Sequence, residues 1–199
     1  MMRIFKAAVI ACAFVALPGF AAGVGKPAPE FTLTDLDGKA VKLADFRGRY
    51  VVLEWVNPEC PYVRKHYDSA NMPGLQKDFT AKNVAWLAIN STREGHYEFK
   101  TPKEMAAWMK QTGGVPSATL LDRDSQVGRL YGAVTTPHMY IVDPKGVLVY
   151  AGAIDDKRST RIEDVKTARN HVRAALGEAL AGKPIATAST TPYGCSVKY

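Results

Sequence analysis

A strand that ends at a proline-flanked cysteine is the feature that most constrains the fold of this chain. Residues 51–53 are a short apolar run that predicts a buried strand. Pro58 then interrupts regular strand pairing. Pro61 directly follows Cys60 and suits the first turn of a helix, because its missing N–H would be unpaired there. The segment therefore predicts a strand, a turn and a helix, with Cys60 at or near the helix N-cap.

Cys60 is placed to be a reactive thiol. A helix N-terminus carries unpaired N–H groups and partial positive charge, and both favour thiolate over thiol. The alternative is a small buried hydrophobic side chain, which is what most free cysteines are. Two prolines and Glu59 around the cysteine are unusual in a core, so the sequence favours a reactive thiol whose sulfur is accessible.

The first 21 residues predict a cleaved export signal. Arg3 and Lys6 precede an apolar run, Pro18 and Gly19 interrupt it, and small residues follow up to Ala21. The run is shorter than the roughly 20 apolar residues that a membrane-spanning helix needs. We therefore expect a periplasmic or secreted protein with no stable membrane insertion after cleavage, and an uncleaved anchor is the alternative.

Removal of this signal leaves two cysteines, Cys60 and Cys195, because Cys12 is lost with it. Two cysteines in an oxidising compartment are a natural pair. Loss of Arg3 and Lys6 with the signal lowers the formal charge from +7 to +5. The remaining basic residues are scattered along the chain, so no nucleic-acid partner is expected. With 47% hydrophobic and 23% charged residues, the rest suits one domain over 22–184 and an Ala, Ser and Thr-rich tail over 185–199.

Helix and strand signals alternate along the domain. They predict an N-terminal β-hairpin over 31–43, a strand over 83–90 parallel to the first, a capped helix over 101–112, a hairpin turn over 143–146 and one last helix that opens at Thr160. This order predicts an α/β fold with a central mixed sheet, flanking helices and an extended C-terminal arm.

The strand, the cysteine, its following proline and the helix resemble the active-site corner of the thioredoxin fold. From about Pro27 to the C-terminus the chain is similar to peroxiredoxin-like redoxins of the AhpC/TSA type. Glu54 lies six residues before Cys60, where thioredoxins hold a buried acid that exchanges protons with the thiols. Thr136 and Pro137 resemble the loop whose cis-proline faces the reactive cysteine. A solvated strand residue is the alternative for Glu54.

The resemblance implies a thiol-dependent oxidoreductase. Cys60 would attack a peroxide or a disulfide, Cys195 would resolve the product, and an external thiol would reduce the resulting disulfide. Redoxins of this group have a Gly-Cys-Ser ending similar to that around Cys195, although a free or intermolecular thiol is the alternative. No cofactor and no metal are implied. The substrate-binding residues implied are Asn57, Pro61, Tyr62, Arg64 and Thr136.

Three positions differ from the related families. Val63 stands where thioredoxins have their second cysteine, and Leu53 and Asn57 stand where peroxiredoxins have Pro and Thr or Ser. Asn57 keeps a hydrogen-bond donor for a peroxide oxygen but lacks the hydroxyl. These differences leave open whether a peroxide or a disulfide is the electrophile.

Two other functions remain alternatives at this level. One is a copper chaperone with the thioredoxin fold, in which Cys60, Cys195 and either His66 or His138 supply soft ligands. The paired cysteines spaced three residues apart in such chaperones are absent here. The other alternative is a redox-inactive binding module that keeps the fold.

Overall fold

The computed structural model describes residues 22–199, and the predicted export signal lies outside them. The strands are β1 (Thr32–Asp35), β2 (Ala40–Lys42), β3 (Val51–Trp55), β4 (Ala85–Asn90), β5 (Ala118–Leu121), β6 (Thr135–Thr136), β7 (His138–Val142), β8 (Leu148–Gly152) and β9 (Cys195–Ser196). The helices are α1 (Pro61–Asp68), α2 (Asn71–Thr80), α3 (Pro102–Thr112), α4 (Gln126–Tyr131) and α5 (His171–Leu180). None of the helices found in residues 22–199 combines the length and apolar character needed to cross a membrane.

A mixed sheet with the order β2-β1-β5-β4-β3-β7-β8 forms the centre of the fold. Strands β3, β4 and β5 are parallel, whereas β7 is antiparallel to β3 and β8 is antiparallel to β7. The hairpin of β1 and β2 pairs antiparallel with β5. The predicted central mixed sheet, N-terminal hairpin and parallel pairing of the first two core strands are therefore confirmed. The crossover between β3 and β4 consists of two helices, α1 and α2.

Strand β3 is buried on both faces and anchors the corner that carries Cys60. Val52 belongs to an apolar cluster that includes side chains of α1, α2, α3 and α5. Leu53 belongs to a second cluster, on the opposite face, that includes α4 and the N-terminal hairpin. Burying each such side chain is worth about 1.5–3 kcal/mol. Packing on two sides fixes the end of β3, and with it the start of α1.

The single last helix predicted from Thr160 is wrong. The chain forms a short 3-10 helix at Ile162–Lys166, and α5 then begins separately after Asn170, whose side chain accepts a hydrogen bond from the Arg173 N–H. Asn170 also forms an antiparallel bridge with Asp155, and the His171 N–H donates to the Ile154 carbonyl at 2.9 Å. These backbone bonds to residues 154–155 interrupt the helix that the sequence pattern favours.

The C-terminal arm, residues 185–199, runs along the surface of the domain and is held at several points. The hydroxyl of Thr190 lies 2.7 Å from that of Tyr150. Farther along, the Val197 N–H donates to the Val134 carbonyl at 3.2 Å. The predicted extended arm is therefore ordered by contacts with the domain, and it ends beside β6.

Candidate active site

Cys60 is the N-cap residue of α1, as the sequence predicts. It has extended backbone angles (φ −76°, ψ 119°), and Pro61 occupies the first turn. Its N–H donates to the Asn57 carbonyl at 3.1 Å, which closes the turn between β3 and the helix. The sulfur of Cys60 donates to the Thr136 carbonyl at 3.0 Å. The thiol therefore lies between a helix N-terminus and the loop that precedes β7.

The loop opposite Cys60 has the predicted form, because the peptide bond between Thr136 and Pro137 is cis. Thr136 is buried and pairs antiparallel with Cys195, so that β6 and β9 form a two-stranded sheet. Gly194 makes this pairing sterically possible. It has φ +145°, and a Cβ at this position would lie 2.0 Å from the Thr136 carbonyl oxygen. The arm therefore brings Cys195 to the residue that contacts Cys60.

Both cysteines are free thiols. Burial, followed by a side-chain hydrogen bond with Cys60 and the charge of Cys60, raises the pKa of Cys195 to about 12. Cys195 is therefore a neutral thiol in the reduced pair. The arrangement suits a sequence in which Cys60 reacts first and Cys195 second.

The sequence predicts an accessible sulfur on Cys60, and this expectation is wrong for the arrangement in the structure. Cys60 is only 1% exposed. Tyr193 belongs to the same apolar cluster as Cys60, and Cys195 packs against that cluster. The sequence could not reveal this burial, because the covering residues lie more than 130 positions farther along the chain. A substrate must therefore reach Cys60 past the C-terminal arm.

Glu54 is fully buried in the middle of β3. Its carboxylate accepts hydrogen bonds from the Tyr67 hydroxyl at 2.8 Å, the Gln76 amide at 3.1 Å and the Trp86 indole at 2.7 Å. Burial raises the pKa of Glu54 to about 7, and the three hydrogen bonds limit the increase. The carboxyl group therefore titrates near neutral pH, as a proton-exchanging acid requires.

Asn57 lies on the loop before Cys60, but its amide already has a partner. The side-chain N–H donates to a Glu98 carboxylate oxygen at 2.6 Å, and the amide oxygen accepts from the Glu59 N–H at 2.9 Å. Lys198 of the arm lies 3.8 Å from the other Glu98 oxygen. Asn57 therefore links the active-site loop to the arm through Glu98, and a substrate oxygen would have to compete with Glu98 for its donor.

Arg64 and Tyr62 project from α1 in different surroundings. The Arg64 guanidinium donates to the Pro58 carbonyl and to the Glu59 carboxylate, both at 2.8 Å, and its side chain is 51% exposed. These contacts hold the loop from outside and do not involve the Cys60 sulfur. Tyr62 is partly buried and packs edge to face on Tyr193 of the arm, with ring centroids 5.8 Å apart. Tyr62 is therefore covered by the arm together with Cys60.

A buried polar cluster lies beside the site, and the sequence gives little indication of it. Lys65 and His66 of α1 face Asp155, and Tyr193 inserts its hydroxyl among them. These residues come from three distant parts of the chain, so no local spacing reveals them. The only signal is a tyrosine, Tyr193, two residues before Cys195 in a tail rich in small residues.

The copper site considered above is not formed. In the part of the chain that the structure describes, no three His, Cys, Asp or Glu side chains are grouped so that they could hold a metal ion. His66 is bound by Asn71 and Tyr193, whereas His138 contacts the Tyr140 hydroxyl at 3.2 Å. Burial lowers the pKa of His138 to about 4, so it is a neutral side chain in the sheet.

Comparison with known families agrees with this geometry. Residues 24–151 match the family model described as AhpC/TSA. The chain belongs to the AhpC/TSA family. One relative of this AhpC/TSA protein, named thiol-disulfide oxidoreductase ResA from Geobacillus thermodenitrificans, is 31% identical over 133 residues, which cover 63% of this chain and 67% of the relative.

Solved structures place this AhpC/TSA protein in the thioredoxin-like fold. An uncharacterized conserved protein from Geobacillus kaustophilus superposes with a TM-score of 0.77 at 31% identity, covering 89% of this chain and 92% of that one. The thioredoxin domain of a thiol-disulfide oxidoreductase from Bacteroides vulgatus gives a TM-score of 0.55 at 22% identity, covering 74% and 98%. The first match extends over most of both chains, and the second identifies the fold.

Proposed function

We propose that this protein is a thiol-dependent oxidoreductase in which Cys60 is the nucleophile and Cys195 the resolving thiol. The single observation that carries the proposal is the pairing of Cys195 with Thr136, whose carbonyl accepts the hydrogen bond from the Cys60 sulfur. Membership of the AhpC/TSA family and the relative named thiol-disulfide oxidoreductase support the same chemistry.

The reaction begins when the Cys60 thiolate attacks an electrophilic oxygen or sulfur. With a peroxide, an S–O bond forms, the O–O bond breaks, and the products are a Cys60 sulfenic acid and an alkoxide or hydroxide ion. With a disulfide, an S–S bond forms and one thiolate leaves. Glu54, whose pKa is raised to about 7 by burial, supplies or accepts a proton during these steps.

Cys195 then resolves the oxidised Cys60. The Cys195 sulfur attacks the sulfenic sulfur and water leaves, or it attacks the mixed disulfide and a thiol leaves. Both routes give the Cys60–Cys195 disulfide. An external dithiol restores the two free thiols and becomes a disulfide itself. Thr136, which directly precedes Pro137, holds the reacting sulfurs in place through its carbonyl and its pairing with Cys195, and Tyr62 forms part of the surface over Cys60.

The site of action that we propose is the periplasm or the exterior of the cell. The first 21 residues have the charge, apolar run and small residues of a cleaved signal. N-terminal sequencing of the protein recovered from an exported fraction tests this part of the proposal. A mature N-terminus close to residue 22 is expected, and an intact Met1 in a cytoplasmic fraction would contradict it.

Mass spectrometry of the non-reduced protein tests the redox pair. The experiment uses the full chain with Cys12→Ser, so that Cys60 and Cys195 are the only cysteines. Brief exposure to hydrogen peroxide should give a peptide cross-linked between these two residues. In Cys195→Ser the same exposure should give a Cys60 sulfenic acid that a dimedone probe traps.

The matched control is Cys60→Ser, in which Cys195 should remain a reduced thiol after the same exposure. A parallel series uses oxidised glutathione in place of hydrogen peroxide. The rates at which Cys60 is oxidised by the two reagents then show whether a peroxide or a disulfide is the better electrophile. If Cys60 stays reduced with both reagents while the protein is folded, the oxidoreductase proposal fails.

A further inference from the structure

The proposed redox reaction does not use the polar cluster beside Cys60, although this cluster is almost completely buried. Lys65, His66 and Asp155 are each 2% exposed or less. Burying charged groups is costly unless each one is paired and hydrogen-bonded. A cluster of this kind inside a domain of this size therefore calls for a specific role, and the only contribution of the arm to it is Tyr193.

The Tyr193 hydroxyl completes the hydrogen bonding of the cluster. It donates to Asp155 and accepts from the Lys65 ammonium at 3.1 Å. His66 Nδ1 accepts from the Asn71 amide at 2.8 Å, so its Nε2 carries the proton and donates to the Tyr193 hydroxyl, 3.3 Å away. The Tyr193 hydroxyl has one donor and two acceptor positions, and these three bonds use all of them.

The Lys65 ammonium makes further contacts, both with the domain and with the arm. The Lys65 ammonium also donates to the Lys157 carbonyl at 2.8 Å and lies 3.7 Å from the second Asp155 oxygen, which has no hydrogen-bond partner. The Lys65 ammonium lies 5.2 Å from the centre of the Tyr193 ring. The domain therefore presents a charged socket, and loss of Tyr193 from it removes one hydrogen-bond partner each from Asp155, Lys65 and His66.

We propose that Tyr193 and its socket of Asp155, Lys65 and His66 form a latch that closes the arm over Cys60 and determines which electrophiles reach the sulfur. This inference rests on the proposed function of Cys60. Tyr193 lies two residues before Cys195, and an extended chain spans about 3.3–3.6 Å per residue. Release of the hydroxyl therefore loosens the segment that covers Cys60, which the pairing of β9 with β6 still holds.

The latch discriminates by the size of the electrophile. The β6 edge beside Cys60 is already paired with β9, so an electrophile that needs this edge must displace Cys195 and its neighbours. A hydrogen peroxide molecule needs only a small opening, whereas an aromatic or polypeptide disulfide needs the arm to move away. Tyr193 is therefore a residue that determines specificity, and it favours small electrophiles.

The test compares two reactions of Cys60 in a chain with Cys12→Ser and Cys195→Ser. In one, Cys60 thiolate attacks 4,4′-dithiodipyridine, forms a mixed disulfide and releases a pyridine thiolate that absorbs light. In the other, it attacks hydrogen peroxide, giving a sulfenic acid and hydroxide. Tyr193→Phe keeps the ring that packs on Tyr62 but removes the hydroxyl.

We expect Tyr193→Phe to react at least about tenfold to hundredfold faster with the aromatic disulfide. One hydrogen bond to a charged group is worth about this much, and the hydroxyl makes two such bonds, to Asp155 and Lys65. The rate with peroxide should rise less, so the ratio of the two rates should increase. Asp155→Asn, which weakens the socket from the domain side, should change the ratio in the same direction. Urea unfolding of each variant confirms that it is folded.

Tyr131→Phe is the matched control, because it removes a hydroxyl that is not part of the latch. This hydroxyl donates to the Pro29 carbonyl at 2.7 Å. Its rate ratio should equal that of the parent chain. An unchanged ratio in folded Tyr193→Phe, or an equal increase in Tyr131→Phe, would overturn the latch. Failure of the redox pair is seen separately, as absence of the Cys60–Cys195 disulfide in the chain that keeps both cysteines.

Discussion

Replacement of Glu54 by Gln provides a direct test of the buried carboxyl group in β3. Gln has nearly the same shape and cannot ionise. Its oxygen can accept from the Trp86 indole and the Gln76 amide, while its N–H can donate to the Tyr67 hydroxyl. The variant therefore imitates protonated Glu54, and its stability should not respond to ionisation at this position.

The expected size of the effect follows from the pKa of Glu54, which burial raises from 4.5 to about 7. Below pH 4.5 the carboxyl group is protonated in both the folded and the unfolded chain, so it costs nothing. Between about pH 4.5 and 7 the unfolded chain releases its proton first, and stability therefore falls as the pH rises. Above pH 7 the full cost is reached, which is about 3 kcal/mol at 1.36 kcal/mol per pKa unit.

Urea unfolding of both proteins from pH 4 to 8.5 measures the difference. The free energy of unfolding of Glu54→Gln, minus that of the parent, should rise by about 3 kcal/mol across this range. The altered hydrogen bonds add a constant to this difference and do not change its dependence on pH. The contributions of the other titrating groups are the same in both proteins and cancel in the difference. Two parallel curves would refute the inference that buried Glu54 ionises near neutral pH.

Glu59→Gln serves as the control with the opposite sign. A hydrogen bond from Lys100 lowers the pKa of Glu59, so this residue stabilises the fold above its unfolded pKa, and that stability is lost as the pH falls through its folded pKa. The free energy of unfolding of Glu59→Gln, minus that of the parent, should therefore decrease as the pH rises from the acidic range.

Two further substitutions test the closure of the site. Gly194→Ala places a Cβ against a backbone oxygen and should weaken arm docking by about 1–3 kcal/mol, so that alkylation of Cys60 with iodoacetamide becomes faster. Gly177→Ala, in a helix with open space around it, should leave that rate unchanged. Asn57→Asp puts a second carboxylate against Glu98, where Asn57 now donates at 2.6 Å. Asn57→Asp should lower the free energy of unfolding, measured with urea, by about 1–3 kcal/mol at pH 7 and by less at pH 5. Equal decreases at both pH values would contradict charge repulsion as the cause.

Local sequence signals were sufficient for the corner that carries Cys60. An apolar run, an interrupting proline and a second proline after the cysteine each act within one or two residues, and together they predict both β3 and the N-cap. The capping box of α3 is equally local, because Thr101 and Glu104 are three residues apart and their hydrogen bonds are present. Such features depend on neighbouring residues, so a single sequence contains them.

The last helix shows where local signals fail. Residues 160–163 have the spacing of a capping box, yet residues 169–171 bond back to residues 154–156 and α5 starts only at His171. A tertiary contact outweighed a local preference that is worth only about 1 kcal/mol. The burial of Cys60 was hidden for a similar reason, because the tail that covers it is distant in sequence.

The same long-range contacts connect the parts of the site. Cys60 is fixed by the rigid end of β3, whereas Cys195 reaches it on an arm that has no apolar core of its own. An arm of this kind must be held by discrete contacts, and one of them, with three hydrogen bonds, is that of Tyr193 with Asp155, Lys65 and His66. The proposed resolving cysteine and the cover over the proposed nucleophile are therefore one segment. Any change that opens the site to larger substrates also moves the thiol that must finish the reaction.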